Sequence, residues 1–170
     1  MSSATLTSHR PSDKPKTILA GIDLSSWLSW ASYSVGFGLA LRLAPGMAED
    51  LTSGGIGLAI VASAVVSFFV IILLIQQQMN VSLRNTSFGA PKKLVDGGVF
   101  AHSRNPMYVA FLLPLVSIAY YSPTAALAAV ALYIVSMNSL VISVEEETLE
   151  ASFGNSFRRY CLATPRWIIW

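Results

Sequence analysis

The chain has 170 residues, 54% of them hydrophobic and only 12% charged, with a mean hydropathy of +0.58. Soluble domains carry about a quarter charged residues, so this composition excludes an ordinary water-soluble domain and points to lipid. The net charge of +2 comes from 11 basic and 9 acidic residues, the basic ones clustered at the ends of apolar runs, which argues for membrane topology and against nucleic-acid binding; the single Cys161 excludes an intrachain disulfide or a cysteine metal cluster.

The stretch Met1 to Lys16 is rich in Ser, Thr and Pro and carries Arg10, Lys14 and Lys16, so residues 1–17 read as a disordered cytoplasmic tail. The apolar run behind it extends to Leu43 without a clear small-residue cleavage site, which favours a retained helix over a secretory signal. We expect a first span over Ile18 to Leu43, with Asp23 near its cytoplasmic end and Trp27 and Trp30 as interfacial rings. A loop with Pro45, Gly46, Glu49 and Asp50 leads to a second span, Gly54 to Ile75, inside the charge-free interval from Asp50 to Arg84. One span needs roughly 20 apolar residues.

From Gln76 to Asn105 the chain is polar, with Arg84, Lys92, Lys93 and Arg104 and the pair Gly97-Gly98. Loops of this length in small proteins are commonly functional or disordered. The block Met107 to Val144 is broken only by Tyr120-Tyr121-Ser122-Pro123, a turn signal that divides it into a third and a fourth span. Basic residues number three in the N-tail, one in the first loop, four in the second, none in the third and three in the C-tail. The positive-inside rule then places both termini and the second loop in the cytoplasm, which requires an even number of spans. After the fourth span, Leu149, Phe153, Phe157 and Tyr160 recur every three or four residues, predicting an amphipathic helix at the cytoplasmic surface that Pro165 ends. The expected fold is an all-α integral membrane protein with about four transmembrane helices, and residues 18–170 form one membrane-embedded domain. No internal repeat suggests a transporter.

A hairpin whose turn lies on the far side brings the polar clusters Gly98 to Tyr108 and Glu145 to Arg166 to one face. Taken singly, the pieces have plain readings: Glu145 to Glu147 as a solvated helix start, Arg104, Lys92 and Lys93 as topology signals, Gly97-Gly98 as a turn, His102 as a loop residue and the aromatics as packing. Together, Leu94-Val95-Asp96-Gly97-Gly98-Val99-Phe100, Arg104-Asn105-Pro106-Met107-Tyr108, Glu145-Glu146-x-x-Leu149, Phe153-Gly154, Phe157, Tyr160 and Pro165-Arg166-Trp167 resemble the isoprenylcysteine carboxyl methyltransferase family and the related phospholipid methyltransferases. The resemblance covers Leu94 to Trp167.

The resemblance implies a membrane-embedded methyltransferase using S-adenosyl-L-methionine, with a cofactor region over about residues 94–170. Carried over residue by residue, the cofactor site comprises Gly98, Phe100, Arg104, Asn105, Pro106, Tyr108, Glu145 and Glu146. Arg166 falls on the substrate side and, with Glu145, is a candidate catalytic residue; no metal is implied. Glu145 or Glu146 could meet the cofactor's ammonium group, and Arg104 or Arg166 could hold a carboxylate bidentately, the cofactor's own or the substrate's. The implied partners are a lipophilic or lipidated acceptor and membrane lipid. Asn105 stands where the family has His, Phe100 and Phe157 where it has Tyr, and Ala110 where it has Gly. Asn cannot titrate near neutral pH, so a His base here is excluded, and in-line transfer to an ionised carboxylate needs none. Two other functions fit the pattern: a nicotinamide-dependent reductase similar to the sterol reductases, and a membrane scaffold.

Overall fold

The structure is a computed structural model that describes residues 18–19, 22–79 and 94–168. The expected N-terminal tail and the residues Arg84, Lys92, Lys93 and Trp170 lie outside these. Two two-residue strands, β1 (Ile18–Leu19) and β2 (Ile22–Asp23), pair antiparallel ahead of α1 (Leu24–Leu43). The first helix thus begins six residues later than the apolar run suggests, because the run folds back on itself before the helix starts. A short α2 (Gly46–Ser53) takes the place of the expected loop, and α3 (Ile56–Met79) follows.

Beyond a 3₁₀ turn at Gly98–Ala101, α4 (Pro106–Ala110), α5 (Leu112–Ser117) and a 3₁₀ turn at Ile118–Tyr120 form one bent apolar segment. The chain reverses at Tyr121-Ser122, where the Ser122 hydroxyl accepts from the Ala125 amide and Pro123 takes the first helical position. Helix α6 (Pro123–Met137) then runs through a π turn (Asn138–Ile142) into α7 (Ser143–Phe153), and α8 (Asn155–Ala163) closes the fold.

Packing of α1 on α6 is built from small residues. Helix α1 buries Ser25, Ser29, Ser32, Gly36 and Ala40, spaced three or four apart, against Ala125, Ala129 and Tyr133. A Cβ on Gly36 would come within 2.7 Å of Ala129 Cβ, so the backbones approach closely. The Ser29 and Ser32 hydroxyls donate to the carbonyls of Ser25 and Leu28, both at 2.8 Å, which satisfies them inside their own helix. Tyr33 ties α1 to the third segment through its hydroxyl, 2.8 Å from the Phe111 carbonyl.

Among the described residues two helices are long and apolar enough to cross a membrane, Ile56–Gln77 and the continuous Pro123–Phe153. The first is nearly all exposed, presenting Val66, Phe69, Val70, Leu73 and Leu74, as a helix that is apolar all round and meets lipid would. The second has 31 residues and would reach about 46 Å, longer than the roughly 30 Å hydrocarbon, which leaves room for its charged end from Glu145 onward outside a bilayer. Of the other two expected spans, α1 carries serines and tryptophans along its length and Pro106–Tyr120 is short. The predicted C-terminal amphipathic helix is also broken in two. Gly154 adopts φ 51°, a conformation side chains resist, and α8 turns back there with Phe157 and Tyr160 buried.

Candidate functional site

The turn at Gly98–Ala101, the start of α4, the first turn of α7 and the segment after α8 converge at one end of the bundle. Arg104 is the hub. Its Nη1 donates to the carbonyls of Cys161 (3.0 Å) and Thr164 (2.7 Å), and its amide donates to the Pro165 carbonyl at 2.9 Å. The Cys161 carbonyl in the last turn of α8 and the Thr164 carbonyl just past it have no partner within the helix, so the guanidinium acts as its C-terminal cap. The other edge of Arg104, through Nε and Nη2, donates to Glu146 Oε1 at 3.3 and 3.0 Å. Arg166 approaches the same carboxylate from the other side, Nε at 3.1 Å from Oε1 and Nη2 on Oε2.

Glu146 is therefore shared between two guanidiniums. Its side chain is 17% exposed and that of Arg104 13%, while Arg166 is 38% exposed. Partial burial raises the Glu146 pKa, but the hydrogen bonds from Arg166 and Arg104 outweigh it, and the carboxyl sits below its ordinary value. Glu145, one position earlier, accepts the Tyr108 hydroxyl at 2.7 Å.

Asn105 stands just before α4 with its amide nitrogen 3.0 Å from the Arg166 carbonyl, which also accepts from the Ser103 hydroxyl at 3.2 Å. The carbonyl partner makes the nitrogen of Asn105 the donor. Asn105 thus anchors the C-terminal segment, a task that needs no titration. Trp167 continues that segment inward, its indole Nε1 donating to Asn138 Oδ1 at 3.1 Å and its ring edge-on to Tyr133 at 6.3 Å. The Tyr133 hydroxyl donates to the Tyr108 carbonyl at 3.2 Å.

Arg104, Asn105, Tyr108, Glu145, Glu146 and Arg166 are gathered here around the start of α4, where Pro106 is buried. Gly98 and Phe100 lie on the neighbouring turn. Gly98 is exposed, and Phe100 takes part through its carbonyl, which accepts the Tyr160 hydroxyl at 2.7 Å. Burial pushes the Tyr160 phenol up to about 12, so it remains a donor at neutral pH. Beside this wall a cleft of about 530 Å³ runs between Leu94, Asp96 and Ala101 on one side and Ser156, Arg159, Tyr160, Ala163 and Thr164 on the other. None of the residues expected to hold the cofactor lines it. Sequence reasoning did not single out Ser103, Tyr133, Asn138 or Thr164; among them only Asn138, a polar residue in the apolar run behind Arg104, carried a visible signal.

An all-α, membrane-associated protein with a site of arginines, carboxylates and a tyrosine at the ends of its helices is the class that fold and site define. Residues 53–156 match the family described as Phospholipid methyltransferase, and the chain belongs to that family. The match takes in Arg104 through Glu146 and stops short of Tyr160, Arg166 and Trp167. Neither a curated protein nor a solved structure matches the chain. Membership favours methyl transfer over the nicotinamide-dependent reductase.

Proposed function

We propose that this chain is a membrane-embedded methyltransferase that uses S-adenosyl-L-methionine and acts on a lipophilic acceptor, by carboxyl O-methylation of an isoprenylcysteine-like or other isoprenoid or lipid acid. The observation that carries this reading is the joining of Arg104, Glu146, Arg166, Tyr108 and Glu145 at one end of the bundle. The cofactor supplies a methyl group on a sulfonium, transferred by in-line displacement.

The donor set fits such a ligand. Glu145, oriented by Tyr108, offers a carboxylate to an ammonium group, while Glu146 is engaged by the two arginines. Arg104 uses four of its five side-chain N–H donors on backbone carbonyls and Glu146, so it holds the site together. Arg166, the more exposed guanidinium, meets the acceptor's carboxylate and orients it for attack. Residues 18–170 form one domain with four spans, and both termini and the second loop are cytoplasmic. An acceptor tail stays in lipid, since each CH₂ moved to water costs about 0.8 kcal/mol, while the charged cofactor arrives from the cytosol.

The test is calorimetry with S-adenosyl-L-methionine on purified protein, with methyl transfer to a panel of prenyl and acyl acids and to an amine-headgroup lipid. Arg166→Ala leaves cofactor affinity within about threefold, less than one hydrogen bond to a charged group, but lowers turnover of the acids. No binding to folded protein ends the methyltransferase reading, and collapse of cofactor binding with normal turnover at saturation moves Arg166 to the cofactor side. Transfer to the amine lipid alone overturns the carboxylate assignment. Reporter fusions after Trp170 and within Glu49 to Thr52 should report opposite sides of the membrane, and same-side signals would sink the topology.

A further inference from the structure

The π turn at Asn138–Ile142 lies between the residues that pack the bundle and the residues that make the site. In an unbroken helix, at 100° per residue, Glu145 would stand about 120° around the axis from Tyr133, and Glu146 about 220°. A π turn absorbs one extra residue, which takes one such step back and leaves Glu145 about 20° and Glu146 about 120° from Tyr133. Tyr133 is fully buried and touches Tyr108 through its hydroxyl, and Glu145 touches the same Tyr108 through the Tyr108 phenol. The extra residue is therefore what lets one helix engage Tyr108 twice and still turn Glu146 toward Arg104 and Arg166.

A π turn gives up regular helical hydrogen bonding and persists where something holds it. Here the first residue of the turn is fixed from outside its helix: Asn138 Oδ1 accepts the Trp167 indole N–H at 3.1 Å. Trp167 in turn sits one residue beyond Arg166, whose carbonyl is held by Ser103 and Asn105. We propose that Asn138 and Trp167 are positioning residues, whose bond holds the π turn and thereby sets the rotation of Glu145 and Glu146 toward Tyr108 and the arginine pair. Its effect on ligand binding rests on the methyltransferase reading; its effect on rotation does not.

The experiment uses the full chain in detergent and has two arms. In the first, without ligand, unfolding midpoints are measured for Asn138→Leu, Tyr108→Phe and the double variant. If Asn138 sets the rotation of Glu145, the Tyr108–Glu145 bond is already lost in Asn138→Leu, and adding Tyr108→Phe then shifts the midpoint by less than half of what it does in the parent. Additive shifts, the usual result for residues without shared partners, overturn the proposal. Trp167→Phe, which keeps the ring beside Tyr133 and removes only the N–H donor, gives the same cycle if Asn138→Leu does not fold.

In the second arm, calorimetry with S-adenosyl-L-methionine reads the consequence. Asn138→Leu and Trp167→Phe each weaken binding by about tenfold, the scale of one hydrogen bond, and the isosteric Asn138→Asp, which keeps the acceptor oxygen, returns it to within about threefold of the parent. Parental affinity in both Asn138→Leu and Trp167→Phe overturns the positioning role. If the parent itself does not bind, the methyltransferase reading fails and the ligand-free cycle still decides the rotation.

Discussion

A tyrosine hydroxyl meets a carboxylate at each end of the helical hairpin. Tyr108 donates to Glu145 at 2.7 Å at the end that holds the arginine pair, and Tyr121 donates to Asp50 at 2.6 Å at the turn. The surroundings separate them. At the turn the pair lies against Gly57, whose missing side chain leaves the space the two groups fill; a Cβ there would overlap both the Tyr121 hydroxyl and the Asp50 carboxylate. At the other end the next residue along, Glu146, draws in two guanidiniums, and Arg104 extends the contact to the carbonyls that end α8. A phenol–carboxylate bond alone is a latch between elements, here between α2 and the hairpin turn. It becomes part of a chemical site where cations and backbone groups converge on its neighbour.

The sharpest way to break this contrast is Glu146→Gln, which leaves Arg104 and Arg166 facing each other without an anion. It should lower stability by about 2 kcal/mol, the scale of losing hydrogen bonds between charged groups in a partly buried site, seen as a reduced unfolding midpoint in detergent. The same pair fixes a pH dependence. The Glu146 pKa is depressed in the fold, so its contribution is fully present above the ordinary carboxylate value and is lost as pH falls through the lower folded value. The midpoint difference between parent and Glu146→Gln should stay flat from neutral pH down to the ordinary carboxylate range and shrink below it. A difference that shrinks above that range would contradict the depressed value.

At the turn, Tyr121→Phe should reduce the midpoint by less than Glu146→Gln does and leave S-adenosyl-L-methionine affinity unchanged. Reduced affinity in that variant would mean that the two ends are coupled and not separate. The smallest effect belongs to Arg158, paired with Glu150 at 2.6 Å but 68% exposed. Arg158→Ala should change stability by less than about 0.5 kcal/mol, because exposed ion pairs contribute little. A larger loss would show that α8 depends on surface charge and not on the burial of Phe157 and Tyr160.

The hairpin and the gathering of its two polar clusters could be read from residue types, since Ser122-Pro123 marks a helix start by its capping chemistry and long charge-free runs mark apolar helices. The break at Gly154 had its residue in plain view, but a glycine inside an amphipathic pattern does not announce that its φ is positive. The π turn left no mark at all, because Asn138-Ser139-Leu140-Val141-Ile142 suits an α-helix equally well and only the Trp167 contact, from a segment 29 positions away, distinguishes the two. The arginines and glutamates were placed at one end by topology. That Glu146 would take both guanidiniums depended on the rotation of α7, which periodicity across an irregular turn misjudges by a full residue.

The segment Pro106–Tyr120 is short for a membrane: at 1.5 Å per residue it covers about 22 Å, against about 30 Å of hydrocarbon. Its neighbour Pro123–Phe153 is more than long enough, so in the proposed four-span arrangement the two sides of the hairpin ask for different bilayer thicknesses. Matching the short side by drawing the leaflets together costs fractions of a kcal/mol per Å, and a thinned patch beside α4 would bring lipid headgroups down toward Tyr108 and Glu145. On the methyltransferase reading a lipid acceptor would then have less depth to climb than in the surrounding bilayer, and the protein would favour thinner membranes over thicker ones.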